Sequence, residues 1–255
     1  MTTPIALQLY TLRDLLAQDF EGTVRKVADM GYIGVETADM FGGSPASAAR
    51  LFRELGLTMM GAHSPLPLGN EKQAVLDTLG ALDCNRLIVA WQPPEKYTSL
   101  HGIRSICDTL NEGAAVARAH GLSLGYHNHW FEYQPVENRI PVDVMLEHLD
   151  PDVFFEVDVY WVQTAGQDPA QVVRRLGSRA PLLHIKDGPC QMDVAMTALG
   201  EGVVDIPGVV AAGAASTEWL VVELDQCATD MTQAVHKSYE YLIGRGLARG
   251  NKSQL

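Results

Sequence analysis

The chain has 255 residues, 47% hydrophobic and 20% charged, proportions that exclude disordered, collagen-like and coiled-coil classes. Nineteen Lys and Arg against 31 Asp and Glu give a net charge of −12, so composition supplies no basic surface to neutralise phosphates, and nucleic acid is not expected as a partner. The length exceeds the ~100–200 residues of an average domain and suits one α/β barrel occupying 1–255.

The opening MTTPIALQLYTLRD has no basic segment followed by a long apolar one, and no run of ~18 apolar residues occurs. Neither a secretion signal nor a membrane span is expected. Cys84, Cys107, Cys190 and Cys227 form no CxxC pair, so they read as reduced thiols of a cytoplasmic protein rather than a zinc knuckle or disulfide framework.

In chain order, strands are predicted at 5–10, 32–36, 57–62, 86–91, 122–127, 153–158, 182–186 and 219–225, each a short apolar run. Between them, Asp19, Ser44 before Pro45, and Asp168 before Pro169 have the chemistry of helix N-caps, two with proline at the first helical position. Phe20, Val24 and Val27 form one apolar helical stripe. Gly31, Gly56 and Gly121 each stand where a helix must stop before the next strand.

Eight alternating units imply a parallel sheet covered by helices, and favour a closed (β/α)8 TIM barrel over a doubly wound sheet. No GxGxxG follows the first strand, as a dinucleotide-binding sheet would require. No linker divides the chain, and the polar tail RGNKSQL reads as a frayed terminus.

The strands end in Glu36, His63, Trp91, His127, Asp158, His184 with Lys186, and Glu223. In a parallel barrel all strand C-termini meet at one rim, so these groups converge on one cavity. Taken singly, His63 and His127 read more readily as hydrogen-bonded core or surface histidines, and Glu36 could merely cap the next helix. Asp158, His184 and Glu223 differ, because three adjacent strands present carboxylate, imidazole and carboxylate at equal depth. Burying such a set needs a bound cation or a tight network. Glu156 shares a face with Asp158, and Asp225 with Glu223. Two residues along a strand span ~6.6 Å, so one member of each pair meets the ion and the other lies deeper or nearer substrate. Carboxylates and imidazoles without thiolates suit Mn, Mg, Co or Fe(II), with catalytic zinc also compatible.

LQLYTLRD, GYHNHWFEY, FFEVDVYWV, LLHIKD, LGEGVVDIPG and VVELDQC resemble the sugar phosphate isomerase/epimerase group of the xylose isomerase-like barrels, along the whole chain. The resemblance implies a divalent-metal barrel acting on a small sugar or cyclitol. It does not select one reaction, since that superfamily holds ketose epimerases, sugar isomerases, inosose dehydratases, enzymes acting on 3-keto-glycosides and apurinic-site endonucleases. Asp158, His184 and Glu223 match the last three of the family's Glu, Asp, His, Glu ligands. Where the family places the first glutamate this chain has His127, so the first ligand is either Glu132 reaching back or an imidazole, His127 or His129; Glu132 is favoured because an acidic group matches a dication.

The resemblance thus leads us to expect an isomerase or epimerase that abstracts a proton beside a carbonyl through a metal-stabilised enediolate. Glu223 is the expected base, an HNH histidine such as His127 its partner, and Lys186 a holder of oxyanion or hydroxyl. Trp91 and Trp161 could stack on a sugar ring, and Glu201, between two glycines, could turn toward the site. The displaced first ligand gives weight to a dehydratase or 3-keto-glycoside lyase as the alternative. An endonuclease fits the acidic balance poorly, and a non-catalytic sugar-binding barrel fits poorly with the retained carboxylates. Oligomeric state is open, a homo-oligomer among the options.

Overall fold

The computed structural model describes residues 2–251; most of the tail expected to fray lies outside them. Eight strands, β1 (Ile5–Gln8), β2 (Gly34–Thr37), β3 (Thr58–His63), β4 (Arg86–Val89), β5 (Ser123–His127), β6 (Phe154–Asp158), β7 (Leu182–Ile185) and β8 (Trp219–Val222), form a closed barrel in sequential order. Every pairing is parallel, and β8 returns to β1 through Ile5 opposite Leu220. The chain is thus a (β/α)8 TIM barrel. Among the described residues no helix is long and apolar enough to cross a membrane, and all four cysteines are free.

The helix signals act locally as their chemistry requires. Asp19 accepts from Gly22 N at 2.9 Å and Asp168 from Gln171 N at 3.1 Å, while Ser44 and Ser47 form a capping box. Each satisfies backbone donors that the first helical turn leaves unpaired. Gly31 closes its helix at φ 109°, and a side chain there would strike the Tyr239 hydroxyl. Gly56 and Gly121 also take positive φ.

Several strands stop short of the apolar run in sequence: β1 ends at Gln8 rather than Tyr10, β4 at Val89 rather than Trp91, and β8 at Val222 rather than Asp225. At β1 the cause is visible. Gln8 Oε1 accepts from Tyr10 N at 3.0 Å and starts the turn Leu9–Leu12. A side-chain cap replaces the ladder there. Tyr10, Trp91, Lys186 and Glu223 all lie just past their strands, at the mouth instead of in the sheet.

Most of the core lies between barrel and helices, where Val35, Leu87, Val157 and Leu183 face Val24, Phe52, Leu79 and Leu110. Inside the barrel a smaller cluster, Ala6, Met60, Ile88, Phe154, Leu182 and Val221, closes the N-terminal end, with Trp219 packed against it. Strand period carries the interior from this plug into a polar layer two residues on: Ala6 gives way to Gln8, Phe154 to Glu156, Leu182 to His184 and Val221 to Glu223.

Candidate active site

Register makes lateral neighbours of the interior polar residues: Gln8 lies opposite Glu36, His127 opposite Glu156, and Asp158 opposite His184. Glu36 Oε2 accepts from Gln8 Nε2 at 2.7 Å and lies 2.7 Å from His184 Nε2 and 3.2 Å from His63 Nε2. Glu156 Oε2 lies 2.8 Å from His63 Nε2, 3.1 Å from His184 Nε2 and 3.2 Å from His127 Nδ1. Space for Glu36 depends on Gly61, where a Cβ would come within 2.9 Å of Glu36 Oε1 and 2.6 Å of Ile88 Cδ1.

Nearer the mouth, Lys186 Nζ contacts Asp158 Oδ2 at 2.9 Å, Glu223 Oε2 at 2.7 Å and Asp225 Oδ2 at 2.9 Å. Glu223 Oε2 is also 2.7 Å from His184 Nδ1. His127 Nε2 lies 3.8 Å from Asp158 Oδ2. The end of β6 is braced by Asn128, whose Oδ1 accepts from Asp158 N at 3.0 Å. Asp158 Oδ1 in turn caps the next helix at Trp161 N.

Burial and charge pull these groups apart. Burial opposes ionisation of Glu36 and Glu223, but His63 and His184 hold Glu36 well below the usual carboxylate range, and Lys186 and His184 do the same for Glu223. Burial raises Asp158 to about 6, with Lys186 opposing, and burial plus repulsion from Glu36 raises Glu156. Burial disfavours imidazolium at His63, yet Glu36 and Glu156 hold it up at about 10. Their charge, with that of Glu223, also raises His184. His127 is pushed well down by burial and by its neighbours His184 and His63. Burial and Lys186 take His129 to about 3. The interior is therefore sorted into acids held ionised at Glu36 and Glu223, imidazoles held charged at His63 and His184, and neutral imidazoles at His127 and His129.

The donor set fits a divalent cation. Ligand atoms of His127, Asp158, His184 and Glu223 lie within 4.8 Å of one another, all buried, and a second overlapping group comprises His63, His127, Glu156 and His184. Glu36 and Glu156 occupy His184 Nε2, and Glu156 occupies His127 Nδ1. That leaves His184 Nδ1 toward Glu223 and His127 Nε2 toward Asp158. Carboxylates that fix the far nitrogen of an imidazole are the usual support of metal-ligating histidines. Glu36 Oε1 and Glu156 Oε1 are buried without hydrogen-bond partners.

Other anticipated residues fall elsewhere. Glu132, expected to reach back as the first ligand, has both oxygens engaged: Oε1 accepts from Tyr126 Oη at 2.6 Å and Oε2 from His129 N at 2.9 Å. The short turn Phe131–Tyr133 folds its carboxylate into that pocket, and it joins neither donor group, whereas His127 joins both. Glu201 points to solvent and pairs with Lys237 at 2.8 Å, because Gly200 and Gly202 give their N–H groups to Asp187. Trp161 packs against Trp130 and Tyr160, with Lys186 Nζ 5.9 Å from its ring centre. Trp91 is 53% exposed and edge-on to His129 at 4.9 Å. Four contributors escape the sequence reading as site residues. In sequence Gln8 is one polar position in an apolar strand, Asn128 sits between two histidines, Asp225 is marked only by its two-residue spacing from Glu223, and Asp187 closes LLHIKD without an assigned role.

Residues 24–238 match the family profile described as the xylose isomerase-like TIM barrel. An inosose dehydratase of Salmonella typhimurium is 27% identical over 140 residues, 48% of this chain and 46% of its own length, so the match spans under half of that relative. A sugar phosphate isomerase/epimerase from Parabacteroides distasonis superposes with a TM-score of 0.82 at 22% identity, covering 99% of this chain and 96% of that one. The IOLI protein with a binding zinc atom superposes at 0.74 with 13% identity, covering 97% and 98%. The closed eight-stranded barrel and the match over 24–238 place this chain in the xylose isomerase-like TIM barrel family.

Proposed function

We propose that the protein is a divalent-metal-dependent enzyme that removes a proton from the carbon beside a carbonyl of a small sugar or cyclitol. The observation that carries this reading is the convergence of His127, Asp158, His184 and Glu223 at the barrel mouth. Relatives that include an inosose dehydratase, a sugar phosphate isomerase/epimerase and a zinc-binding barrel support it. A bound dication polarises a carbonyl and acidifies the neighbouring C–H bond. His127, Asp158, His184 and Glu223 would hold it.

Among the interior carboxylates, Glu223 is the one whose side chain the mouth reaches, at 6% exposure against 0% for Glu36, Glu156 and Asp158. Lys186 keeps it ionised and therefore ready to accept a proton at neutral pH. The same contact weakens it as a base, so proton removal depends on prior acidification of the substrate. The Lys186 ammonium also stands beside the place where negative charge develops on substrate oxygen.

Isomerisation or epimerisation returns the proton; elimination, as in a dehydratase or 3-keto-glycoside lyase, expels a neighbouring group instead. One observation favours elimination. His127, the expected partner of Glu223, stands in the donor set where a second carboxylate would serve two-base proton return, but burial and its neighbours hold it well below the range in which an imidazole takes up a proton, and Glu132 is engaged by Tyr126 and His129.

Incubation of ketoses, inososes and 3-keto-glycosides with the metal-loaded protein in D2O tests the reading. The substrate takes up deuterium beside its carbonyl, and Glu223→Gln abolishes uptake while retaining metal, since an amide oxygen coordinates but cannot accept the proton. Exchange at the parent rate in a metal-bound Glu223→Gln protein removes Glu223 from the role.

A further inference from the structure

Beside the polar site, on the side of β1, β3 and β4, a cleft of about 640 Å³ opens between Tyr10 and Trp91, floored by Leu66 and Val89 and reaching His63. His63 also belongs to the interior network, with its ring 5.5 Å from that of His184 and 5.2 Å from that of His127. The cleft therefore borders the interior network through His63. A second cleft of about 300 Å³ shares His63 and Ser64 and carries Asp39 and Glu71.

Neither cleft has a lysine or arginine among its described lining residues. The cations near the mouth are committed. Lys186 serves three carboxylates, and Arg13, stacked 4.4 Å over Tyr10, donates to the carbonyls of Tyr10 and Asp225. A phosphate entering here meets no lysine or arginine, and the one imidazolium on the lining, His63, is already paired with Glu36 and Glu156, so its desolvation goes largely uncompensated. An uncharged flat group meets two aromatic side chains, Trp91 at 53% and Tyr10 at 39% exposure. Trp91 is held edge-on by His129 and by Phe131 at 5.6 Å, so stacking there orders little that is not already ordered.

We propose that this cleft is a second subsite that takes an uncharged apolar ring joined to the sugar, such as an aryl aglycone, and that the substrate carries no phosphate. The inference rests on the sugar-carbonyl reading above and specifies the substrate class of that site.

Titration calorimetry on the metal-loaded protein with methyl β-D-glucopyranoside, phenyl β-D-glucopyranoside and D-glucose 6-phosphate tests it. The phenyl glucoside binds about tenfold or more tightly than the methyl one, and the phosphate binds no more tightly than the methyl one. Trp91→Ala, a change at a half-exposed position, removes most of the phenyl gain, and Trp91→Phe retains most of it. The proposal is overturned by no measurable binding of the phenyl glucoside, by a phenyl gain that survives Trp91→Ala, or by tighter binding of the phosphate. Deuterium exchange separates the two readings: exchange without a phenyl gain overturns the subsite alone, and a phenyl gain without exchange leaves the subsite standing and removes the reaction.

Discussion

Lys186 Nζ lies 2.7 Å from Glu223 Oε2 in the barrel mouth, and the lysine is 1% exposed. The ammonium also bridges Asp158 and Asp225, so three carboxylates crowd one buried cation. Removing one partner from such a set leaves uncompensated charge and typically costs ~3–5 kcal/mol. Lys186→Met should therefore destabilise the metal-free protein by several kcal/mol, and a dication held by Asp158 and Glu223 should restore much of the loss. Thermal unfolding with and without chelator reads this, and a chelator effect no larger than in the parent protein refutes it.

Glu156 makes a second prediction through its contacts with three imidazoles. Its Oε2 meets His63, His127 and His184 within 3.2 Å. Replacing it by Gln keeps the volume but removes the charge that fixes the far nitrogens of His127 and His184. Losses of this kind cost roughly 10–100-fold in metal affinity. Competition titration against a chromogenic chelator should show that weakening in Glu156→Gln, while His184→Ala loses the ion altogether by elemental analysis. Stoichiometric metal in purified His184→Ala contradicts the ligand set.

The alternation of elements is legible in the sequence because each strand is a short apolar run and several helices begin on a capping side chain. Chain topology alone also places Asp158, His184 and Glu223 at one rim, where the structure brings them together. Strand ends are harder to read, because WLVVELD keeps an apolar alternation after the ladder has stopped at Val222. Glu132 has no fixed place in the sequence. In HNHWFEY its distance along the chain allows either a ligand or a buried acceptor, and only the turn at Phe131–Tyr133, with Tyr126 donating, decides. Gln8 is invisible for a related reason: its partner Glu36 is 28 residues away.

Asp187 shows how a residue outside the chemistry can hold the mouth in shape. Its Oδ1 accepts from Gly188 N and Val204 N, and its Oδ2 from Gly200 N and Gly202 N, at 2.8–3.1 Å. Asp187→Asn puts an NH2 group against two of these N–H donors. Each buried donor left unpaired costs ~1–3 kcal/mol. The variant should lower the melting temperature and open the 188–204 segment to limited proteolysis. Parent-like cleavage and melting rule out this anchoring role.

Glu132 supplies a prediction about pH. Burial lifts its carboxyl from the usual 4.5 to about 7, against the lowering effect of the Tyr126 hydrogen bond. A raised folded-state value means that folding favours the protonated acid. Its contribution is fully present below the unfolded value, declines as pH rises from about 4.5 to about 7, and is constant above that. The shift corresponds to roughly 3 kcal/mol. Glu132→Gln does not titrate, so its stability relative to the parent should rise by about that amount across the same window, whatever offset the new amide introduces against Tyr126 and His129. Urea unfolding of both proteins between about pH 5 and about pH 8 measures the slope. A constant difference across that range shows that Glu132 is ionised in the folded protein at acidic pH as well, with the Tyr126 hydroxyl and the His129 amide sufficient to hold its charge in the interior.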